Sequence, residues 1–256
     1  MKHIVLVTGA TAGFGEATAR RFLAEGHKVI AVGRRNDRLD ALKASLPAEQ
    51  QKKLHTLALD ICDSAKVDSL ASSLPAEFSN VTVLVNNAGL ALGLEPAHQT
   101  NINDWDRMID TNIKGLIHMT RAFLPGMVER KCGHVINVGS VAGLYPYPGS
   151  NVYGASKAFV KQFSLNLRAD LTGTRLRVTC VEPGLSSGTE YSNVRFKGDD
   201  AKADKVYEGV QALSADDIAE AIFWSANLPA HMNINAVEIM PIAQSFTGTS
   251  IYRGEL

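Results

Sequence analysis

Short apolar runs alternate with longer amphipathic ones along almost the whole chain. The short runs are rich in β-branched residues: Ile4–Val7, Lys28–Val32, Leu54–Leu59, Val81–Val85, Val135–Val138, Leu176–Val181 and Ala236–Met240. Near-continuous apolar runs of that length predict strands buried on both faces. Between them, apolar residues recur at helical spacing over Gly13–Glu25, Asp37–Leu46, Ser64–Leu74, a long stretch from about Asn103 to Glu129, Ser150–Leu171 and Ala215–Ala226. Strands alternating with helices predict an α/β fold, a parallel sheet covered by helices on both faces. No linker, repeat or low-complexity segment divides residues 1–256, so one domain is expected. One stretch breaks the pattern. Leu185 to about Leu213 is long and polar and has no strand of its own. A loop of that length inside a compact domain reads as a functional lid.

Composition narrows the partners. Lysine plus arginine balance aspartate plus glutamate, 26 against 26. That balance argues against a polyanion-binding surface and hence against nucleic acid. No apolar run approaches the roughly 20 residues that cross a bilayer. The N-terminal apolar run is too short for a signal peptide and reads as a buried strand. Cys62, Cys132 and Cys180 are odd in number and far apart. They suit a reducing cytoplasm and form neither a disulfide framework nor a metal site. The histidines show no ligand spacing, so no metal is expected.

The first strand runs into Thr8, Gly9, Ala10, Thr11, Ala12, Gly13, Phe14 and Gly15, and then into a helix. Glycines there permit a tight turn and close backbone approach to a ligand. The helix start offers free N–H groups and a positive dipole end to a diphosphate. The spacing G-x-x-x-G-x-G departs from the G-x-G-x-x-G fingerprint, although strand, glycine turn and helix form the required setting. A dinucleotide is the expected ligand. The second strand ends in Gly33, Arg34 and Arg35. An arginine at that position accommodates the 2′-phosphate of NADP, where an acid would hold the ribose of NAD. Asp37 lies past the strand end and reads as a helix cap. Asp60 and Ile61 close the third strand, where a carboxylate can accept from an adenine amino group.

Tyr153 and Lys157 stand four apart on the helix that begins near Ser150. Residues so spaced share one helix face, here a phenol beside an ammonium. A free tyrosine, with a pKa of about 10, is a poor proton shuttle at neutral pH. A nearby positive charge favours the phenolate. A phenol tuned in that way can protonate a carbonyl oxygen or take a proton from an alcohol.

Taken together, Thr8–Gly15, Asn86-Asn-Ala-Gly89, Ser140, Tyr153-x-x-x-Lys157 and Pro183-Gly184 resemble the short-chain dehydrogenase/reductase family in order and approximate spacing. The match covers nearly the whole chain. The resemblance implies a Rossmann-like, doubly wound sheet of about seven strands. It implies Tyr153 as acid/base, with Lys157 lowering its pKa and binding the nicotinamide ribose. Ser140 would hold and polarise the substrate oxygen, and Asn112 would anchor a water in the proton relay. Asn87, Ala88 and Gly89 would shape the cofactor pocket. Pro183, Gly184 and Leu185 would flank the nicotinamide, with Thr189 at its carboxamide. One extra residue precedes Thr189, so Ser187 competes for that role. Members commonly pair two long helices into a four-helix interface, which implies a homotetramer.

Further segments, Asn86–Gly93, Glu95–His98, Glu182–Leu185 and Gly188–Asp200, resemble the NADP-dependent 3-hydroxy acid dehydrogenases within that family. These act on serine, allo-threonine and related short 3-hydroxy acids, and reduce aldehydes of the malonic semialdehyde type. A short hydroxy acid offers few apolar atoms, so its carboxylate must supply much of the recognition. An arginine fork holds a carboxylate well, and the lid contains Arg195. Glu190 is the candidate for a substrate amino group. Two competing readings are another carbonyl substrate on the same chemistry and a non-catalytic NADP(H) sensor. The intact set Asn112, Ser140, Tyr153 and Lys157 argues against the sensor.

Overall fold

A computed structural model describes residues 2–246. The chain runs β1 (Ile4–Thr8), α1 (Gly13–Ala24), β2 (Lys28–Gly33), α2 (Asn36–Ala44), the short α3 (Ala48–Gln51) and β3 (Leu54–Ala58). It continues through α4 (Ser64–Ser73), β4 (Val83–Asn86), α5 (Ile102–Ile109), a π-turn at Asp110–Gly115, α6 (Leu116–Glu129) and β5 (His134–Val138). After α7 (Asn151–Asp170) and β6 (Arg177–Pro183) come the short α8 (Tyr191–Arg195) and α9 (Asp200–Lys205), then α10 (Ala215–Asn227) and β7 (Ala236–Ile239).

All seven strands pair in parallel, in the order β3-β2-β1-β4-β5-β6-β7. The parallel sheet expected from the alternation is present, with the doubly wound, Rossmann-like order that the resemblance implied. Successive strand residues point to opposite faces, and β1 shows it directly. Val5 and Val7 pack with Phe22 and Leu23 of α1 and Ile218 and Ile222 of α10. Leu6 packs on the other face with Val67 of α4 and Met119 and Phe123 of α6. Fully burying one such side chain contributes about 1.5–3 kcal/mol, so the two layers stabilise the sheet from both sides. The strand order reverses between β1 and β4, and ligands bind such sheets in the crevice at that switch point.

Three details depart from the sequence expectation. The stretch 103–129 is helical, but it is broken into α5, the π-turn and α6. The stretch 48–51 forms a helical turn of its own, too short to show an apolar stripe. The polar lid is not irregular throughout, since it contains α8 and α9. Its ends are zipped together: Leu213 N donates to Leu185 O at 3.0 Å and Ser187 N donates to Leu213 O at 2.8 Å. The lid is therefore an excursion with a fixed base.

The opposite end of the sheet holds a cluster of neutral histidines. His3 N donates to His27 Nδ1 at 2.8 Å, and the two rings stack at 5.2 Å. His134 is buried beside Thr179, whose hydroxyl lies 2.8 Å from Nε2. Burial pushes His27 down to about 4 and His134 well below its ordinary value, with the Arg177 charge adding to the latter. Both groups bind protons more weakly folded than unfolded. Their contribution is complete above about pH 6.5 and is lost as pH falls, at roughly 1.4 kcal/mol per histidine and pH unit. The melting temperature is expected to drop by at least about 5 °C between pH 7 and pH 5. A flat thermal profile over that range would refute neutral burial of these rings.

Candidate active site

The glycine turn after β1 is shaped by close contacts. Gly9 adopts φ +69°, and a Cβ on it would lie 2.9 Å from the Ala88 backbone. Gly15 packs so tightly that a Cβ would sit 2.3 Å from Gly9 O, so its role is helix-to-strand approach. The start of α1 carries no side-chain cap, which leaves its first N–H groups for a ligand. Ala10 N donates to Val32 O at 3.0 Å, holding the turn beside the end of β2. Thr8 Oγ1 accepts from the N–H groups of Asn87 and Ala88, each at 3.0 Å. Asn87 Nδ2 donates to Thr8 O at 2.9 Å. The loop after β4 is thereby tied to the turn.

A cavity of about 680 Å³ opens along this crevice. Its cofactor end is lined by Gly9, Thr11, Gly13, Phe14, Arg34, Arg35, Asp60 and Ile61. Asn87, Ala88, Gly89, Pro183, Gly184, Leu185 and Thr189 line its middle. Ser140, Tyr153, Lys157 and Arg195 close the chemical end. Four expected residues are not on the wall, Asn112 among them, itself buried. Ala10 is fully buried in the core. Gly15 acts through packing. Ser187 lies off the wall, at the lid base, whereas Thr189 is on it and rests against Gly13.

Two glycines let the chemical residues meet. A Cβ on Gly143 would lie 2.7 Å from the Lys157 backbone, and one on Gly154 would lie 2.8 Å from Ala142 O. The turn carrying Ser140 thus seats directly on α7. Ser140 Oγ accepts from Ala142 N at 3.1 Å, capping that turn, and also reaches the Tyr153 phenol. Asn112 sits on the π-turn, a feature frequent at functional sites. Its side chain is buried and satisfied: Oδ1 accepts from Leu90 N at 2.9 Å. Nδ2 donates to Leu90 O at 2.9 Å and to Ser156 Oγ at 3.0 Å. Asn112 and Lys157 converge on Gly89, where a Cβ would lie 3.2 Å from one side chain and 3.3 Å from the other.

The electrostatics differ from the simple Tyr–Lys expectation. Burial holds the Tyr153 phenol above its ordinary value, while hydrogen bonds with Tyr191 and Ser140 and the Arg195 charge pull it down. Burial also pushes Lys157 down to about 8, and its Nζ donates to Val138 O at 2.9 Å. Lys157 Nζ lies 5.9 Å from the Tyr153 ring centroid, and Arg195, with the firmer charge, also pulls the phenol down. Its guanidinium lies 5.8 Å from the Tyr153 ring centroid.

Arg195 comes from α8 of the lid and is buried. Nε donates to Gly93 O at 3.1 Å, and Nη1 donates to Tyr147 Oη at 2.9 Å and Tyr191 Oη at 3.4 Å. Among the described residues its Nη2 is a buried donor without a partner. Glu190 goes elsewhere. Its carboxylate takes both Nη groups of Arg35, at 2.7 and 3.1 Å, at the cofactor end. Tyr147 and Tyr191 were not singled out from the sequence. The proline-flanked Tyr147 and the tyrosine next to Glu190 were visible, but an aromatic on a loop has no period to mark it.

The profile of the short chain dehydrogenase family matches residues 3–200. Over 250 residues the chain is 63% identical to an NADP-dependent 3-hydroxy acid dehydrogenase of Salmonella typhi, covering 98% of this chain and 99% of that one. A serine 3-dehydrogenase of Agrobacterium fabrum is 50% identical over 253 residues, 99% of each chain. The closed form of serine dehydrogenase complexed with NADP+ superposes with a TM-score of 0.94 at 59% identity, over 98% of this chain and 99% of that one. Glycine turn, Ser140, Tyr153 and Lys157 thus stand in a sheet whose sequence and backbone agree with those relatives from end to end, and the chain belongs to the short-chain dehydrogenase family.

Proposed function

We propose that this protein is an NADP-dependent 3-hydroxy acid dehydrogenase, acting on serine, allo-threonine and the 3-hydroxypropionate/malonic semialdehyde pair. The relatives named above support the class of activity and the cofactor. The observation that carries the substrate class is Arg195: a buried guanidinium beside Tyr153 with one N–H pair unused. In a 3-hydroxy acid the hydroxyl and carboxylate are separated by two carbons, about 4 Å at ordinary bond lengths. A substrate with its hydroxyl at Tyr153 and Ser140 would extend its carboxylate toward Arg195, whose guanidinium lies 5.8 Å from the Tyr153 ring.

The glycine turn and the open start of α1 fit the diphosphate. Arg34 and Arg35 would hold the 2′-phosphate, Asp60 and Ile61 the adenine, and Asn87, Ala88 and Gly89 the pocket behind it. Lys157 would bind the nicotinamide ribose, with Pro183, Gly184, Leu185 and Thr189 around the ring. When bound, NADP supplies the hydride acceptor or donor. Tyr153 moves the proton of the reacting oxygen, Ser140 fixes that oxygen, and Arg195 orients the acid. Asn112 would anchor a water that, with Lys157, carries the proton onward from Tyr153. Steady-state assays of 3-hydroxy acids against uncharged alcohols of equal size, with NADP, test the reading. No preference for the acids would overturn it.

Two further expectations follow. Arg34 is half-exposed, 3.9 Å from Asp60. Arg34→Asp removes a favourable charge and adds a repulsive one. A charge-assisted contact contributes roughly 1.5–3 kcal/mol, so the ratio of NADP to NAD efficiency is expected to fall about tenfold or more. An unchanged ratio would make Arg34 a surface residue only. Assembly is the second. Ile102 of α5, Val128 of α6 and Phe159 and Leu165 of α7 leave apolar surface exposed, and such faces seek partners. A homotetramer is expected by light scattering at micromolar concentration, and a monomeric mass would exclude it. No helix among the described residues is long and apolar enough to cross a membrane. A cytoplasmic location suits the three free cysteines.

A further inference from the structure

Glu190 stands on the lid but its carboxylate is engaged at the cofactor end. Both its oxygens accept from Arg35, at 2.7 and 3.1 Å, and Arg38 lies 3.8 Å away. Arg35 in turn donates to Thr11 Oγ1 at 3.1 Å. Lid, end of β2 and glycine turn are therefore joined by one chain of contacts. Next to it, Thr189 lies on Gly13: a Cβ there would be 3.0 Å from the threonine methyl. The lid thus rests on the turn that would receive the diphosphate, and the ion pair closes its edge. Each partner's side chain is 41% exposed. Exposed ion pairs hold weakly, whereas a phosphate dianion meets an arginine fork with strong, charge-assisted bonds.

We propose that Glu190 is a latch for the cofactor channel: it holds Arg35 until the 2′-phosphate of NADP takes the arginine from it, and it thereby tempers the affinity for NADP. The inference rests on the reading that Arg35 meets the 2′-phosphate. The exchange is one of ion partners. Arg35 trades a carboxylate for a phosphate, and the exposed Glu190 side chain, now facing an anion, turns away from Arg35. NAD carries no group that can make the trade. It must bind with the latch closed, or open it without a replacement partner for Arg35. The carboxylate also offsets the charges of Arg35 and Arg38, and the Arg35 hydrogen bond holds its pKa below the ordinary value.

The test is direct binding of NADPH and NADH, followed by cofactor fluorescence without substrate, in Glu190→Gln and Arg35→Met. Glu190→Gln keeps the shape and removes the charge. NADPH is expected to bind roughly three- to fivefold more tightly, the effect of losing one exposed competing pair, with NADH unchanged or weaker. Hydrogen exchange over 186–198 in the cofactor-free protein is expected to quicken. Arg35→Met is expected to weaken NADPH and leave NADH alone. If Arg35→Met leaves NADPH unaffected, the phosphate does not lie there and the latch falls with that reading. If Arg35→Met weakens NADPH but Glu190→Gln leaves its affinity unchanged, or weakens both cofactors alike, the latch alone is wrong.

Discussion

Tyr153→Phe is expected to remove nearly all turnover, by a factor of about a thousand or more, with NADPH affinity close to wild type. The ring stays and only the hydroxyl goes, so packing against Leu90, Leu92 and Met108 is kept. The phenol is placed for proton transfer: it is buried, within reach of Ser140 and Tyr191, and under the charge of Arg195. Positioned acid–base groups contribute typically ~10²–10⁴-fold, and losing the hydroxyl also leaves Ser140 without its partner at the reacting oxygen. The loss should fall on kcat and kcat/KM together, as for an interaction made in the chemical step. Wild-type-like turnover would take Tyr153 out of the mechanism. Lys157→Met separates the second role, since a residue serving proton relay and ribose should lose both turnover and NADPH affinity. Unchanged affinity would limit Lys157 to the relay.

Arg195→Met is expected to lower kcat/KM for 3-hydroxy acids by about a hundredfold and to lower that for an uncharged short alcohol or aldehyde far less. Hydrogen bonds to charged groups contribute about 1.5–3 kcal/mol, and the fork here is buried, where screening is weak. The unused Nη2 supports this assignment, because burying an unsatisfied donor costs about 1–3 kcal/mol and a substrate carboxylate would remove that cost. The same guanidinium also anchors the lid through Gly93, Tyr147 and Tyr191. Loss of anchoring alone would injure every substrate alike, so the comparison between charged and uncharged substrates separates the two effects. Equal losses would mean that Arg195 shapes the lid without reading the acid.

Much of this protein was legible along the chain. β-Branched apolar runs and helical spacing are local properties, and they placed the seven strands and the main helices within a few residues. The glycine turn, the arginines after β2 and the Tyr153–Lys157 pair are local as well, because a turn or one helical repeat brings their parts together. What failed were features without a period. The turn at 48–51 and the helices α8 and α9 are too short to show one, and the π-turn at Asn112 keeps a helical pattern while changing its hydrogen bonds. The larger gap lay in contacts between distant segments. Arg195 reaches Gly93 across 102 residues and Arg35 reaches Glu190 across 155. The sequence by itself determined which side chains the lid carries. Only the folded sheet and the zipped lid base decided that the arginine turns to Tyr153 and the acid to Arg35. Burial was likewise a tertiary outcome: the i, i+4 pair foretold a charge beside a phenol, but exclusion of water raised the phenol, lowered the lysine and left Arg195 as the stronger cation.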